Sequence, residues 1–332
     1  MALLPSIRTK AEYLALLRAD DVWQPALRVI AERHQLTNLR RSAVGSHIVY
    51  LGEAEVVKLF APPWPDDFVA ERRMLEHVAG RLPIATPRIL AEGQLEGWPY
   101  LVLTRLDGQR LDELWPALPA VDQRRLLAQI GELAAALHEL PLLDTGGDPA
   151  AEWADFIAAR ERALADKHAA DGLPAPWIAE IERAVASLPA LDRWAGDLAC
   201  LHTDMQGGNL LARSVGDRLE LGGLFDFGDA MLGAREHELI APAAFMAVGV
   251  SGGLRALFGG YGHAGPERDG ELAARLTGHL LLQRYCSLPY LLNRLDPRPD
   301  DLASLLARLW DLSPASPGYS WAPSSESDSD SE

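Results

Sequence analysis

Apolar residues recur at intervals of three and four between charges over residues 5–35, at Tyr13, Leu14, Leu16, Leu17, Leu27, Ile30 and Ala31, which predicts a leading helix. The period then changes. SAVGSHIVYLG and EAEVVKLF are rich in Val, Ile and Tyr and flank Gly52-Glu53, so they predict two strands around a turn. The Pro-rich stretch APPWPDD precedes FVAERRMLEHVAGRL, a helix with Phe68, Met74 or Leu75, and Val78 on its apolar face and Asp66 and Asp67 as candidate caps. ILAEGQL and WPYLVLTRL predict two more strands, separated by Gly97. After the leading helix, the first hundred residues thus read strand, strand, helix, strand, strand. Beyond Asp107-Gly108 the pattern is helical: RRLLAQIGELAAALHEL is amphipathic, helices follow over 151–170 and 175–190, and 236–262 and 271–311 return to helix. ACLHTDMQGGNLLA and LELGGLFDFGDA interrupt these helices as short strands and loops. Segment 313–332, Pro/Ser-rich and then acidic, is expected to be disordered.

Composition narrows the class. The 332 residues suffice for one large domain or two coupled lobes, and 48% hydrophobic with 23% charged residues is ordinary for a globular protein. The formal charge is −16, of which the terminal run SSESDSDSE supplies four. That balance, with no local basic patch, argues against nucleic acid as a partner. It favours a cationic ligand, or serves solubility alone. Two cysteines, Cys200 and Cys286, can build neither a disulfide framework nor a four-thiolate zinc site, which fits a reducing compartment. The N-terminus has no continuous apolar core of a signal peptide, and the apolar stretch Leu239–Val250 is too short to span a bilayer. A soluble cytoplasmic protein with no membrane partner is expected. Neither H-E-x-x-H nor G-x-S-x-G occurs, so a metalloprotease or serine hydrolase is unsupported.

Candidate chemistry centres on His202-Thr203-Asp204-Met205-Gln206-Gly207-Gly208-Asn209, between the apolar runs LACL and LLA. An aspartate in such a loop can orient an attacking hydroxyl and accept its proton. An asparagine five residues on, after two glycines, can turn its carbonyl oxygen toward a magnesium ion. Asp226-Phe227-Gly228 follows seventeen residues after Asn209, and its carboxylate ends the apolar strand GGLF, as suits a second magnesium ligand. Upstream, Lys58 stands within Val56-Val57-Lys58-Leu59-Phe60, where burial requires a partner. Glu71 on the next helix is the natural one, while an outward-facing Lys58 is the alternative. Glu76 lies five positions later, about 140° around the helix, and faces another way.

The ordered set Lys58, Glu71, HTDMQGGN and DFG resembles the aminoglycoside phosphotransferase family, over roughly residues 40–250. VVKLF, the Pro-bounded helix and WPYLVLTRLDG are most similar to hygromycin B phosphotransferases. The resemblance implies an α+β, bilobal protein-kinase-like fold: a small N-lobe (1–104) with an antiparallel sheet and one key helix, and a larger, mainly helical C-lobe (105–312), before the tail 313–332. It implies ATP and Mg2+, with Lys58 on the α/β-phosphates, Glu71 positioning Lys58, Asp204 as catalytic base, and Asn209 and Asp226 as magnesium ligands. Gly45-Ser46 matches the loop that covers the phosphates. YLVLTRL matches the interlobe hinge, with backbone near Thr104 and Leu106 facing adenine. His202 is read as a structural residue holding the loop.

The expected acceptor is a small, cationic molecule such as an aminoglycoside, with Asp229, Glu236 and Glu238 as candidate contacts and Trp153 or Trp177 as candidate sugar platforms. Choline, homoserine, a methylthio-sugar or a macrolide are alternatives on the same scaffold, and a nucleotide-binding pseudokinase is a rival of another class. The chain departs from protein kinases and from this family in several places. RSAVGSHIVYLG has one glycine in the loop where protein kinases have three, and the activation segment and A-P-E run are missing. Thr203 stands where many family members have glycine. Ala234 replaces a usual aspartate, leaving Glu238 as the surviving acidic match.

Overall fold

The computed structural model describes residues 2–43, 45–188, 198–263 and 270–310; the acidic tail expected over 313–332 lies outside the described residues. The chain forms two compact units. The first comprises Met1–Ala117, Glu139–Leu143 and Cys200–Met231, and the second Leu118–His138, Asp144–Ala199 and Leu232–Glu332.

The first unit is built on an antiparallel sheet of β1 (Arg40–Arg41), β2 (Ile48–Leu51), β3 (Glu55–Leu59), β4 (Ile89–Leu95) and β5 (Trp98–Thr104), in the order β1-β2-β3-β5-β4. The β4–β5 connection is Glu96-Gly97, both at positive φ, the two-residue turn whose twist matches a hairpin. Glycine takes that conformation freely. Glu96 takes it too, and its carboxylate accepts bonds from the Leu3 and Leu4 amides at 2.8 and 2.9 Å, tying down the N-terminus.

Side chains alternate across a strand, and here the alternation decides the site. Val57 and Leu59 of β3, with Tyr100 and Val102 of β5, face a core completed by Tyr13, Leu17, Trp23, Ala26, Leu27 and Ile30 of the leading segment. The intervening Lys58 is paired with Leu101 and lies on the opposite face. That face receives α3 (Pro65–Val78), which buries Glu71, Met74, Leu75 and Val78. α3 begins earlier than the sequence suggests. Pro65 occupies its first position, where a missing N–H costs nothing, so Asp66 and Asp67 fall in the first turn and do not cap.

The leading helix expected over 5–35 is two helices, α1 (Lys10–Leu16) and α2 (Asp20–His34). α1 opens on a reciprocal capping box between Thr9 and Glu12. The break is stabilised by partners for the terminal carbonyls that helix periodicity cannot show. Leu16 O accepts from the Trp23 indole at 3.1 Å and Leu17 O from Arg41 at 2.8 Å.

The second unit is helical. β6 (Gln109–Arg110) and α4 (Leu111–Leu114), a short strand and helix of the first unit, precede α5 (Ala120–His138), and α6 (Pro149–Arg162), α7 (Leu164–Ala170) and α8 (Ala175–Ser187) follow. The helix expected over 151–170 is thus interrupted at Ala163. Likewise 236–262 and 271–311 are divided into α9 (Arg235–Glu238), α10 (Ile240–Pro242), a π-turn at Ala243–Ala247, α11 (Gly253–Tyr261), α12 (Gly270–Leu282), α13 (Leu288–Arg294) and α14 (Leu302–Leu309). Gly252 at φ +70 breaks the chain before α11, and Pro289 opens α13. α5 and α11 run at backbone contact. A Cβ on Gly131 would stand 2.1 Å from Leu257 O, and one on Gly260 would stand 2.0 Å from Ala128 O. Glycine is required at both. The rings of Trp153, Phe156, His237 and His279 pack edge to face and stacked in this unit's interior. Trp153 is fully buried, so it is a core residue and not a surface platform for a sugar.

Candidate active site

The loop that begins at His202 follows β7 (Leu198–Leu201) and ends in a tight turn at Gly207–Asn209. It enters the hairpin of β8 (Leu210–Val215) and β9 (Arg218–Leu224), whose register pairs Leu210 with Leu224. The sixteen residues between Asn209 and Asp226 are therefore a strand out and a strand back, and the Phe225 amide donates to Asn209 O at 3.1 Å. Two motifs separated in sequence are closed into one site by a ladder. Gly207 is held against α4: a Cβ there would meet the Asp112 backbone at 3.0 Å.

His202 is a brace for this loop. Its Nε2 faces Phe225 O at 3.0 Å, its Nδ1 accepts the Asp204 amide at 3.3 Å, and its ring packs edge-on to Phe227. These partners assign the proton to Nε2. Burial lowers its basicity and keeps it neutral, so it is not poised as a proton shuttle. Asn209 Nδ2 donates to Asp204 Oδ2 at 2.7 Å and to Asp204 O at 3.0 Å. The amide nitrogen being so engaged, the Asn209 carbonyl oxygen is the group left for a cation. Burial pushes the Asp204 carboxyl up to about 6, against the opposing hydrogen bond from Asn209.

Lys58 is almost fully buried and lies between two carboxylates. Its ammonium bonds Glu71 Oε2 and stands 2.6 Å from Asp226 Oδ1. Burial opposes each of these charges. For Lys58 the two carboxylates outweigh it and hold the ammonium above its usual range. For Asp226 burial is outweighed by the Lys58 charge, and the carboxyl falls below its usual range. Glu71, burial dominating, is raised despite Lys58. The alternative of an outward-facing Lys58 is thereby excluded.

Hard oxygen donors on Asn209 and Asp226 suit magnesium, which takes one or two protein groups and completes its shell from phosphate and water. Among the described residues no cluster of three or more His, Cys, Asp or Glu could hold a metal.

These residues line a cleft of about 770 Å³ in the first unit, together with Gly45, Ser46, Thr104 and Leu106. The last two differ in what they offer. The Thr104 amide is already engaged by Arg88 O at 2.9 Å, and its hydroxyl accepts the Arg88 amide at 2.9 Å. Leu106 lies past the last ladder bond, that of the Arg105 amide to Ala54 O, and is the better placed of the two to face a base. Asp229 is close enough for its charge to bear on Asp204. Glu236 and Glu238 belong to the second unit, where Glu236 holds Arg275 at 2.8 Å and Glu238 is fully buried. Neither is the freely presented carboxylate that its place after DFG suggests. Sequence reasoning passed over His47. Its imidazole, pushed down to about 3 by burial and the Lys58 charge, packs against Phe60 beside the Lys58 cluster. Its position two residues after Gly45 was the available signal.

Thr203 and Asp226 both have φ +68, a left-handed conformation that is rare for a β-branched residue. This gives a physical reason for glycine at position 203 in relatives. Thr203 is retained here with its hydroxyl donating to Asp229 O at 3.0 Å. Thr203→Gly is expected to be more stable than Thr203→Ala by about 1 kcal/mol, because only alanine keeps the left-handed penalty. Urea unfolding of the two variants checks this; the usual order, alanine above glycine, would refute it.

Residues 41–273 match the phosphotransferase enzyme family. No curated protein matches the chain in sequence. Among solved structures it is similar to aminoglycoside phosphotransferase APH(2'')-IIa in a ternary complex with streptomycin and ATP, at 15% identity over 83% of this chain and 88% of that one, TM-score 0.56. It is similar to a point mutant of aminoglycoside 2'-phosphotransferase-IIIa in complex with GDP, at 17% identity over 81% and 96%, TM-score 0.62. Aminoglycoside phosphotransferase APH(4)-Ia gives 22% identity over 86% and 96%, TM-score 0.54. With the family matched over most of its length and the kinase-like arrangement of sheet, catalytic loop and DFG run, the chain belongs to the phosphotransferase enzyme family and is a small-molecule phosphotransferase.

Proposed function

We propose that the protein transfers the γ-phosphoryl group of ATP to a hydroxyl of a small cationic molecule, with an aminoglycoside such as hygromycin B the leading candidate acceptor. The observation that carries this reading is the meeting of Lys58, Glu71 and Asp226 with Asp204 and Asn209 on one cleft. Lys58 holds the α/β-phosphates, and Glu71 fixes Lys58. Asp204 lines up the acceptor hydroxyl and takes its proton late in an in-line transfer, where positioning and charge neutralisation do most of the catalysis. Magnesium, held by Asn209 and Asp226, neutralises phosphate charge when bound. Gly45 and Ser46 cover the phosphates, and the backbone near Leu106 faces the base. Residues 1–104 serve the nucleotide, and 105–312 supply the catalytic loop and the acceptor site.

The net charge of −16 supports a cationic acceptor, as do the streptomycin-bound and gentamicin-bound relatives of like fold. Among the described residues no helix is long and apolar enough to cross a membrane, which is consistent with a cytoplasmic enzyme. The test is ADP release from Mg-ATP with hygromycin B, other aminoglycosides, choline, homoserine and a macrolide offered in turn. Release that depends on an aminoglycoside and is lost in Asp204→Ala establishes the reading. Release with choline or homoserine alone replaces the acceptor, and nucleotide binding without release under any acceptor replaces the enzyme with a pseudokinase.

A further inference from the structure

The loop that carries Gly45 and Ser46 joins β1 to β2; the Ser42 amide to Val49 O, at 2.9 Å, closes its base. Its carbonyls are bound instead by the leading segment. The Tyr13 hydroxyl donates to Ser46 O at 2.9 Å. Arg18 donates through Nη1 to Ala43 O at 2.8 Å and through Nη2 to Gly45 O at 3.4 Å. Arg41, at the root of the loop, returns a bond to Leu17 O at 2.8 Å. Tyr13 is buried within the core, and burial raises its hydroxyl to about 12, so it remains a donor. The segment before residue 41 lies outside the family match, so nothing in that match gives these residues a role.

Peptide geometry turns these contacts into a function. In a planar trans peptide the carbonyl of one residue and the amide of the next point in opposite directions. Holding Gly45 O and Ser46 O toward the leading segment therefore turns the amides of Ser46 and His47 away from it. Gly45 and Ser46 both line the cleft. Successive amides turned to one side form a concavity that binds anions. Gly45, at φ +106, turns the chain immediately before these two peptides.

We infer that the leading helices are a brace for the phosphate loop, and that Tyr13 and Arg18 are positioning residues that aim its amides at the nucleotide phosphates. The inference rests on the nucleotide-binding reading proposed above. Arg18 is exposed and Tyr13→Phe preserves the ring, so both side chains can be altered without opening the core.

The experiment is calorimetric titration of the full chain with Mg-ADP and, separately, with adenosine, for the wild type, Tyr13→Phe, Arg18→Ala and the double variant. Each single variant is expected to lose about three- to tenfold in ADP affinity, in line with one or two hydrogen bonds, and the double variant more. Adenosine, which has no phosphate, is expected to bind all four proteins equally, and the melting temperatures to agree within about 2 °C. Arg18→Lys keeps one cation donor and should recover part of the loss. Unchanged ADP affinity, or equal losses for ADP and adenosine, would overturn the brace. A wild type that binds neither ligand would instead refute the nucleotide reading, so the two failures are distinguishable.

Discussion

Asp204→Asn should lower turnover by about 10²–10⁴-fold while leaving Mg-ADP affinity within about twofold of the wild type. The substitution preserves size and leaves an oxygen to receive the 2.7 Å bond from Asn209, so the loop stays in place. What it removes is a carboxylate able to take a proton. Burial already makes that carboxylate more basic than a solvated one, at about 6, and no other side chain of the loop is suited to replace it. His202 has both nitrogens directed at backbone partners, and burial holds it neutral. Turnover measured beside ADP titration separates the two effects. Loss of nucleotide affinity in Asp204→Asn would show that residue 204 supports binding and not the chemical step.

Lys58→Met should weaken nucleotide binding and turnover together, and should also destabilise the free protein by about 3–5 kcal/mol, the usual cost of removing one partner from a buried ion pair. Glu71 is then a buried carboxylate with no cation beside it, and Asp226 loses the charge that keeps it ionised. The pH dependence has a definite sign. Glu71 is already raised in the folded state by burial, and loss of Lys58 raises it further. The folded variant thus holds a proton that the unfolded chain releases near its ordinary carboxylate value. Its stability therefore falls as pH rises from about 4.5 toward neutrality, and its deficit against the wild type is smallest in acid. Urea midpoints of both proteins between about pH 5 and 8 would show it. A deficit independent of pH would mean that the vacated charge is satisfied in another way. Adding Glu71→Leu should recover part of the lost stability but none of the nucleotide affinity.

The catalytic core was legible because its chemistry is local. Asp204 and Asn209 share one loop, Asp226 ends the strand behind it, and the alternation of Val57, Lys58 and Leu59 shows which of the three must find a polar partner. What could not be read depends on contacts between distant residues. Arg275 claims Glu236, and the interior of the second unit closes over Glu238, so neither carboxylate that looks like an acceptor contact is freely presented. Helix period is continuous through Leu17, Arg18 and Ala19. The chain breaks there because Trp23 and Arg41 satisfy carbonyls that a longer helix would use itself. Thr104 and Leu106 look equivalent in the run YLVLTRL. Only the ladder shows that the amide of Thr104 is engaged by Arg88.

The hairpin that joins Asn209 to Asp226 bears on how relatives of this chain should be recognised. Its tip at Gly216-Asp217 is exposed and distant in register from the Leu210–Leu224 rung that sets the site. Residues added or lost at the tip lengthen or shorten the ribbon without displacing Asn209 or Asp226, so the interval between the two motifs can vary at little cost. An indel within a strand reverses inward and outward positions unless a bulge absorbs it, as the register shift beside Gly222 does in this hairpin. The rung at Leu210 and Leu224, and not the count of intervening residues, is what holds the two motifs together.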